Sequence, residues 1–188
     1  MNDQNSTSCF AKINARVQPM DRGDIFEDPL SEALEENSLG EVTGGGTMMF
    51  ENGEIEYVGV DIDLYDKEEG ITFVCKCLEE LGAPKGSVLE IDNERYPFGH
   101  AEGVGIYIDG VNLSDDVYRQ CDINVVCSEI QKRIEGIGDI LGHWQGPQDT
   151  ALYLYGRSAK KMKELIADFI ASYPLCEGAK ILDITPIN

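Results

Sequence analysis

The stretch EIEYVGVDIDLYDKEEGITFVCKCLEELGAPKGSVLEID, residues 54–92, decides the fold. Its first part alternates between apolar and polar residues, which predicts a strand. The next part carries apolar residues at helical spacing and predicts a helix from about residue 69 to residue 81, closed by Leu81-Gly82. Pro84 and Gly86 indicate a turn, and residues 87–92 predict a further strand. We interpret the stretch as strand, helix and strand.

A second stretch repeats this order. It is ALYLYGRSAKKMKELIADFIASYPLCEGAKILDIT, residues 151–185, in which ILDI (181–184) matches VLEI (88–91). Each stretch follows a segment that begins Leu-Gly, and each of those segments follows a predicted strand and helix. The complete pattern is therefore βαββαβ, twice. It predicts an α+β protein made of two tandem ferredoxin-like units related by internal duplication.

The predicted boundaries follow from this pattern. Residues 9–92 form the first unit, which is strongly acidic, residues 103–188 form the second, and residues 93–102 are a short connection. Asn52-Gly53 predicts a tight hairpin turn in the first unit. The other expected elements include a strand over residues 10–19, a turn at 21–24, a helix over 28–37 that starts at Asp28-Pro29, and helices over about 117–134 and 159–172.

The charge of the chain narrows the classes of partner. With 35 acidic and 15 basic residues, the formal net charge is -20. Of these, 22 acidic but 7 basic residues lie within residues 1–97. Such a charge opposes binding to nucleic acid and to anionic membranes, and it favours a basic protein partner. The alternative is that the charge serves solubility alone.

Localisation and cofactors follow from what the sequence contains. No apolar run approaches the roughly 20 residues of a membrane span, and the N-terminal MNDQNSTSCF lacks the features of a signal peptide. We therefore expect a cytoplasmic protein whose six cysteines are structural free thiols. Cys75 and Cys77 point about 200° apart on a helix, and the chain has two histidines, so we expect no metal and no cofactor.

Alternation also predicts which side chains lie on the sheet face that the helices leave open. Tyrosines beside carboxylates on such a face suit recognition of Lys and Arg side chains. The alternative is that the two faces pack on each other or form a homodimer. The predicted open-face residues are Tyr57, Asp61, Asp63, Tyr65 and Glu90 in the first unit and Tyr107, Asp109, Tyr153, Tyr155 and Asp183 in the second, with Trp144 on a loop as a further interface anchor or a core residue.

Two motifs resemble chemical sites. Asp61 and Asp63 lie two residues apart on one strand, roughly 7 Å from each other, as an acid/base pair or a Mg²⁺ site would require. No positioned His or Lys accompanies them, so an acidic surface is the preferred interpretation. The run Gly44-Gly45-Gly46 leads into a hairpin rather than a helix, which indicates a bulge or rim loop rather than a phosphate loop.

In charge, size and the block from LGEVTGGGT to VLEI, the first half resembles the small acidic inhibitors and immunity proteins of bacteria that neutralise toxins. The resemblance implies a non-enzymatic protein that occludes the cationic active site of a toxin or nuclease. It assigns no individual residues. Two alternatives remain: a regulatory protein that senses a small molecule between the repeats, near Tyr96, Phe98 and His100, and an enzyme centred on Asp61 and Asp63.

Overall fold

Alternating side chains build two antiparallel sheets in this protein, whose computed structural model describes residues 6–186. The first five residues, and the last two of the predicted second unit, lie outside the described residues. The chain divides into two compact units. The first comprises the described residues up to Phe50 together with Ile55–Ala101, and the second comprises Glu51–Glu54 and the described residues from Glu102 onward.

The first unit contains a five-stranded sheet in the order β2-β3-β1-β4-β5. The strands β3, β1 and β4 provide its buried side, with Val60, Ala11 and Leu89 all inaccessible to solvent. The elements are β1 (Thr7–Ile13), α1 (Pro19–Arg22), a π-helical turn (Gly23–Glu27), α2 (Asp28–Asn37), β2 (Gly40–Met49), β3 (Ile55–Leu64), α3 (Lys67–Glu80), β4 (Ser87–Ile91) and β5 (Glu94–Phe98).

The second unit contains a four-stranded sheet in the order β7-β8-β6-β9. Ile106 and Leu154 of its central strands pack in one core with Ile130 and Ile166. The elements are β6 (Glu102–Asp109), α4 (Asp115–Gln120), α5 (Ile123–Ile134), β7 (Gly138–Gln145), β8 (Asp149–Gly156), α6 (Ala159–Ser172), a 3-10 turn (Pro174–Cys176) and β9 (Lys180–Asp183).

Both sheets place the second strand of the unit at one edge, then the third, the first and the fourth. This is the strand order of the ferredoxin-like βαββαβ fold, and it occurs twice along the chain. The predicted α+β class with tandem ferredoxin-like units is thereby confirmed. None of the helices in residues 6–186 combines the length and the apolar character that crossing a membrane would demand.

The segment 93–102, predicted to be a connection, contains an additional strand. Strand β5 pairs with β4 from Ser87↔Phe98 to Ile91↔Glu94. The turn between them consists of Asp92 and Asn93, both with positive φ, as a two-residue hairpin requires. Because Pro lacks the backbone N–H that a strand donates, Pro97 makes a strand unexpected from the sequence here. Pro is nevertheless tolerated on a strand at the edge of a sheet.

Two helices differ from their predicted forms. The predicted turn at 21–24 is helical, because Pro19 begins a helix that continues through the π-helical turn into α2. The predicted helix 117–134 is interrupted before Ile123, where the Asp122 side chain accepts a hydrogen bond from the Asn124 backbone N–H and begins α5 anew. The new start shifts the helical phase, so Val126 is buried while Val125 is exposed.

The final strands of the two units are out of register with the predicted alignment. Leu89 of VLEI pairs with Ala11 and is buried, whereas Leu182 of ILDI pairs with Gly105 and is 50% exposed. A shift of one residue moves every side chain of a strand to the opposite face. Asp183 therefore shares the face of Val104 and pairs with Lys163 of α6 at 2.8 Å, which corrects its predicted place on the open face.

Candidate functional site

The open face of the first sheet carries a row of side chains that the strand register aligns. Phe10 on β1 pairs with Asp61 on β3 at one side and with Glu90 on β4 at the other. Directly paired residues share a face and lie about 5 Å apart at their Cβ atoms. The row therefore presents an aromatic ring between two carboxylates.

A shallow groove of ≈ 480 Å³ runs along this row. Phe10 and Cys9 belong to its lining, and four carboxylate residues surround them. Phe10 can lie flat here because the neighbouring Gly59 has no side chain: a Cβ at that position would lie 2.2 Å from the Phe10 ring. The lining is completed by Ser8, Asp61, Glu90, Ile91, Asp92, Asn93, Glu94 and Arg95.

A like-charge pair lies on the same face. Glu41 on β2 pairs directly with Asp63 on β3, and carboxylates in that arrangement repel each other. Among residues 6–186, no Lys or Arg lies within ion-pair distance of Glu41, Asp61 or Asp63. Asp63 accepts a hydrogen bond from the Ser8 hydroxyl at 2.5 Å, which holds it without neutralising it.

Tyr65 joins this acidic group at the end of β3. Its pKa is raised by partial burial and by the negative charge and hydrogen-bonding carboxylate of Glu41. The phenol is 36% exposed and stays protonated at neutral pH, so it remains a hydrogen-bond donor. The structure thus brings together four predicted residues, Asp61, Asp63, Tyr65 and Glu90.

Tyr57, a fifth predicted residue, already has a cation against its ring. The Lys12 ammonium lies 4.0 Å from the ring centroid, in cation–π geometry. Of the carboxylates at the groove, Glu90 pairs with Arg95 at 3.2 Å, and Asp92 pairs with Lys67 at 2.8 Å. The unneutralised charge of the face is therefore concentrated at Glu41, Asp61 and Asp63.

The second unit does not offer the matching open face that the sequence predicts. Tyr153 is fully buried and Tyr155 is 3% exposed, so neither is accessible to a partner. The hydroxyls of Tyr153 and Tyr107 donate to one oxygen of Glu54, at 2.7 and 2.6 Å. Glu54 is 8% exposed, and a buried carboxylate needs such donors. These tyrosines stabilise a buried acid rather than present an accessible surface.

The two remaining predicted residues also have local contacts. The Asp109 carboxylate accepts hydrogen bonds from the backbone N–H groups of Val111 and Asn112 and from the Asn112 side chain, and these bonds lower its pKa. Trp144 is half-buried, and its ring covers Gly146 so closely that a Cβ there would lie 2.1 Å from it. Asp109 orders a loop, and Trp144 packs on its own hairpin.

Sequence reasoning missed Phe10 and Glu41. The alternation of the first strand already places Phe10 on one side with Lys12, which was sufficient to add it to the open face. Glu41 was harder to place, because a bulge between Val42 and Gly44 shifts the register of β2 against β3. That bulge confirms the interpretation of the glycine run, although the three glycines lie within β2 and not in a loop.

No protein-family model matches the chain, and no curated protein matches it in sequence. Among solved structures it is similar to an unknown protein from Galdieria sulphuraria (13% identity, covering 97% of this chain and 99% of that chain, TM-score 0.30). It is also similar to the regulatory subunit of aspartate kinase from Thermus flavus (12%, 87% and 92%, 0.30) and the first two RRM domains of yeast poly(U) binding protein (10%, 95% and 99%, 0.25). We take no function from likenesses this low.

Proposed function

We propose that this protein is a cytoplasmic, non-enzymatic binding protein that occludes the cationic surface of a basic partner, such as a toxin or nuclease domain. The binding surface is the open face of the first unit. The observation that supports the proposal best is the group of accessible carboxylates without cations, Glu41, Asp61 and Asp63, beside an aromatic groove. A partner with Lys and Arg side chains supplies the missing charge.

The groove suggests how one basic side chain is held. A guanidinium placed over the Phe10 ring gains cation–π attraction from the ring, while Asp61 and Glu90 flank it with charge-assisted hydrogen bonds. Arg95 already pairs with Glu90 in this way within the chain. The Tyr65 hydroxyl donates to Glu41, and its oxygen can accept a hydrogen bond from a backbone N–H or hydroxyl group of the partner.

The cross-strand pair of Glu41 and Asp63 supports binding over a purely structural role. Opposed carboxylates cost stability, and a surface selected for folding alone would place a Lys or Arg opposite one of them. Binding of a cation removes this repulsion, so part of the binding free energy is relief of a cost already present in the free protein. The alternative of a small-molecule sensor with a site between the repeats stays a prediction.

The test measures the association rate of a basic nuclease domain by stopped-flow fluorescence at low and high NaCl. We expect the rate to fall steeply with salt, because steering by opposite charge is screened. The double variant Asp61→Asn and Asp63→Asn should slow association at low salt by about tenfold or more, within the range of steering effects.

Glu177→Gln is the matched control, because Glu177 is exposed and belongs to the second unit. Removal of that charge should leave the association rate within about twofold of the unaltered protein, since Glu177 is not part of the proposed surface. A rate that is independent of salt, or that falls equally in the control and in the double variant, would contradict the proposal.

A further inference from the structure

Strand β2 forms one edge of the first sheet, where its only strand partner is β3. The Tyr65 N–H donates to the Leu39 carbonyl, next to the first pair of this ladder. Because hydrogen-bonded and unbonded pairs alternate in an antiparallel ladder, this bond fixes which residues of β2 bond to β3. The backbone N–H and C=O groups of Val42, and beyond the bulge those of Gly45 and Thr47, point away from β3. They form a row of donors and acceptors without a strand partner.

The other sheet edges in residues 6–186 are protected against an additional strand. Short strands, proline, charged side chains and covering groups block such edges in proteins. Strand β5 has five residues and contains Pro97, β9 has four and begins with Lys180, and in β7 the Ile140 N–H donates to the Gln131 side chain at 2.9 Å. Strand β2 has ten residues without Lys, Arg or Pro, and no side chain among the described residues hydrogen-bonds to its backbone. Its edge is therefore accessible to a further strand.

On the open face, two glycines of β2 separate this edge from the acidic residues of β3. Gly44 pairs with Asp61, and Gly46 pairs with Gly59. A Cβ at Gly46 would meet no atom within 4 Å, and one at Gly44 would meet the Asp61 carboxylate alone, at 3.5 Å. Neighbouring strands lie about 5 Å apart, so a strand added at the edge is about 10 Å from β3. A Lys or Arg side chain of such a strand can therefore extend across the glycines to Asp61.

From the unpaired edge, the glycines and the carboxylates beside them, we propose that β2 binds an extended basic segment of the partner as an additional antiparallel strand. The inference rests on the proposed function and specifies how the partner is held. The segment's backbone bonds to the outward groups of β2, while its Lys and Arg side chains reach Asp61 and Glu41. Met48, which is 47% exposed on the same face, contacts an apolar side chain of the segment. The same edge of a second copy fits less well, because two chains of net charge -20 repel each other.

The probe is the acetylated and amidated peptide Leu-Thr-Arg-Thr-Lys-Thr-Lys, and the readout is the ¹H–¹⁵N spectrum of the intact chain. We expect saturable shifts for residues 40–49 and slower hydrogen exchange of the Val42, Gly45 and Thr47 amides in the complex. Two methylated peptides of unchanged charge test the backbone bonds. With the basic side chains on the open face, the threonine amides face β2, so N-methylation of the three threonines should weaken binding by about tenfold or more. N-methylation of the Arg and the two Lys should change the affinity by less than about threefold, because their amides face solvent.

Three results would overturn the inference: no binding of the unmethylated peptide, equal affinities of the two methylated peptides, or shifts of residues 40–49 that follow protein concentration without peptide. The last result would assign the edge to a second copy of the chain. Equal affinities that still fall in the double variant Asp61→Asn and Asp63→Asn would reject strand addition and leave the proposed binding by charge intact. The stopped-flow experiment with a nuclease domain judges the proposed function separately, so the failure of one is distinguishable from the failure of the other.

Discussion

The pair of Glu41 and Asp63 lowers the stability of the folded protein but contributes charge to the proposed binding surface. Both side chains are on the open face, they are directly opposite, and neither has a cation within ion-pair distance among residues 6–186. Replacement of one acid by its amide removes the repulsion while keeping the shape of the side chain. The same replacement also removes charge from the surface that we propose binds the partner.

Glu41→Gln should therefore raise the free energy of unfolding by up to about 1 kcal/mol at low salt, as the relief of a like-charge pair does. It should at the same time slow association with a basic partner. Urea unfolding and stopped-flow binding measure the two effects on one sample. Glu177→Gln should change neither by a comparable amount, and a loss of stability in Glu41→Gln would show that the hydrogen bond of Tyr65 to Glu41 outweighs the repulsion by Asp63.

Cys9 gives the protein a dependence on alkaline pH. Burial, with smaller effects of Asp63 and Cys75, raises its pKa to about 12, whereas an unfolded cysteine titrates near 8.5. Above about pH 8.5 the unfolded chain loses a proton that the folded chain keeps. The stability from this group is complete below that pH and is lost as the pH rises toward 12, at about 1.4 kcal/mol per pH unit.

We expect the free energy of unfolding in urea to fall between pH 9 and pH 11, and Cys9→Ala to make this fall less steep by about that slope. Cys75 and Cys176, whose burial raises each pKa to about 11, keep part of the dependence in the variant. The quantity compared is the slope of the unfolding free energy against pH. A loss of stability in Cys9→Ala that is the same at every pH therefore does not affect the comparison. Identical slopes for the two proteins would contradict the assignment of Cys9 as a buried neutral thiol.

Among the elements, α5 provides a comparison between two helix starts in the same unit. The Asp122 carboxylate accepts a hydrogen bond from the Asn124 N–H at 2.8 Å, whereas Ser114 before α4 makes no such side-chain bond. Asp122→Ala should cost about 0.5–2 kcal/mol of unfolding free energy, and Ser114→Ala should cost clearly less. Thermal and urea unfolding of the two variants measure the difference. Equal costs would mean that the helix does not depend on the Asp122 cap.

Helix α3 contributes Leu78 to the core of the first unit, and this side chain is fully buried. Leu78→Ala should cost about 2–5 kcal/mol, the usual result of a cavity in a packed core. Lys76→Ala on the same helix is a suitable control, because its side chain is 75% exposed and its ion pair with Glu80 is weak. A cost near zero for Leu78→Ala would contradict the burial of this side chain in the core of the first unit.

Sequence patterns predicted the elements whose side chains obey one period throughout. Strand β3 is such a case: Val60 and Ile62 are buried and Asp61 is exposed, as its alternation required. Sequence patterns gave wrong predictions where contacts with other parts of the chain change the local structure. The position of β5 at the edge of its sheet made Pro97 acceptable, the Asp122 cap shifted the phase of α5, and pairing with β6 decided the face of Asp183.

The candidate site was predictable to the same extent, and for the same reason. Asp61 and Asp63 lie on one strand, so the alternation of that strand alone predicts that they share a face. Phe10 and Glu41 lie on two other strands, and only the register of those strands against β3 places them on the same face. The buried state of Tyr153 had no signal in its own strand. The Tyr153 hydroxyl donates to the carboxylate of Glu54, which is 99 residues away in sequence, and no pattern within one strand predicts such a contact.

At the scale of the whole molecule, the net charge of -20 affects the stability of the fold and the association with a basic partner in opposite ways. Repulsion among the carboxylates destabilises the compact state, and attraction between the open face and a basic partner speeds binding. Salt screens both, because the distance over which exposed charges interact falls from about 10 Å at 0.1 M to about 3 Å at 1 M. Added salt should therefore raise the stability of the folded protein and lower its rate of association with a basic partner.

The urea midpoint should rise as NaCl increases from 20 mM to 500 mM, with the slope of the urea transition unchanged, while the association rate with a basic nuclease domain falls over the same range. Urea is the suitable denaturant because guanidinium chloride would itself screen the charges. The rise should be smaller in Glu41→Gln, from which one repulsive pair has been removed. A midpoint that falls with NaCl would mean that attractive ion pairs, such as Arg22 with Glu27 at 2.7 Å, outweigh the repulsion. In that case the acidic surface would have no folding cost to relieve when a partner binds.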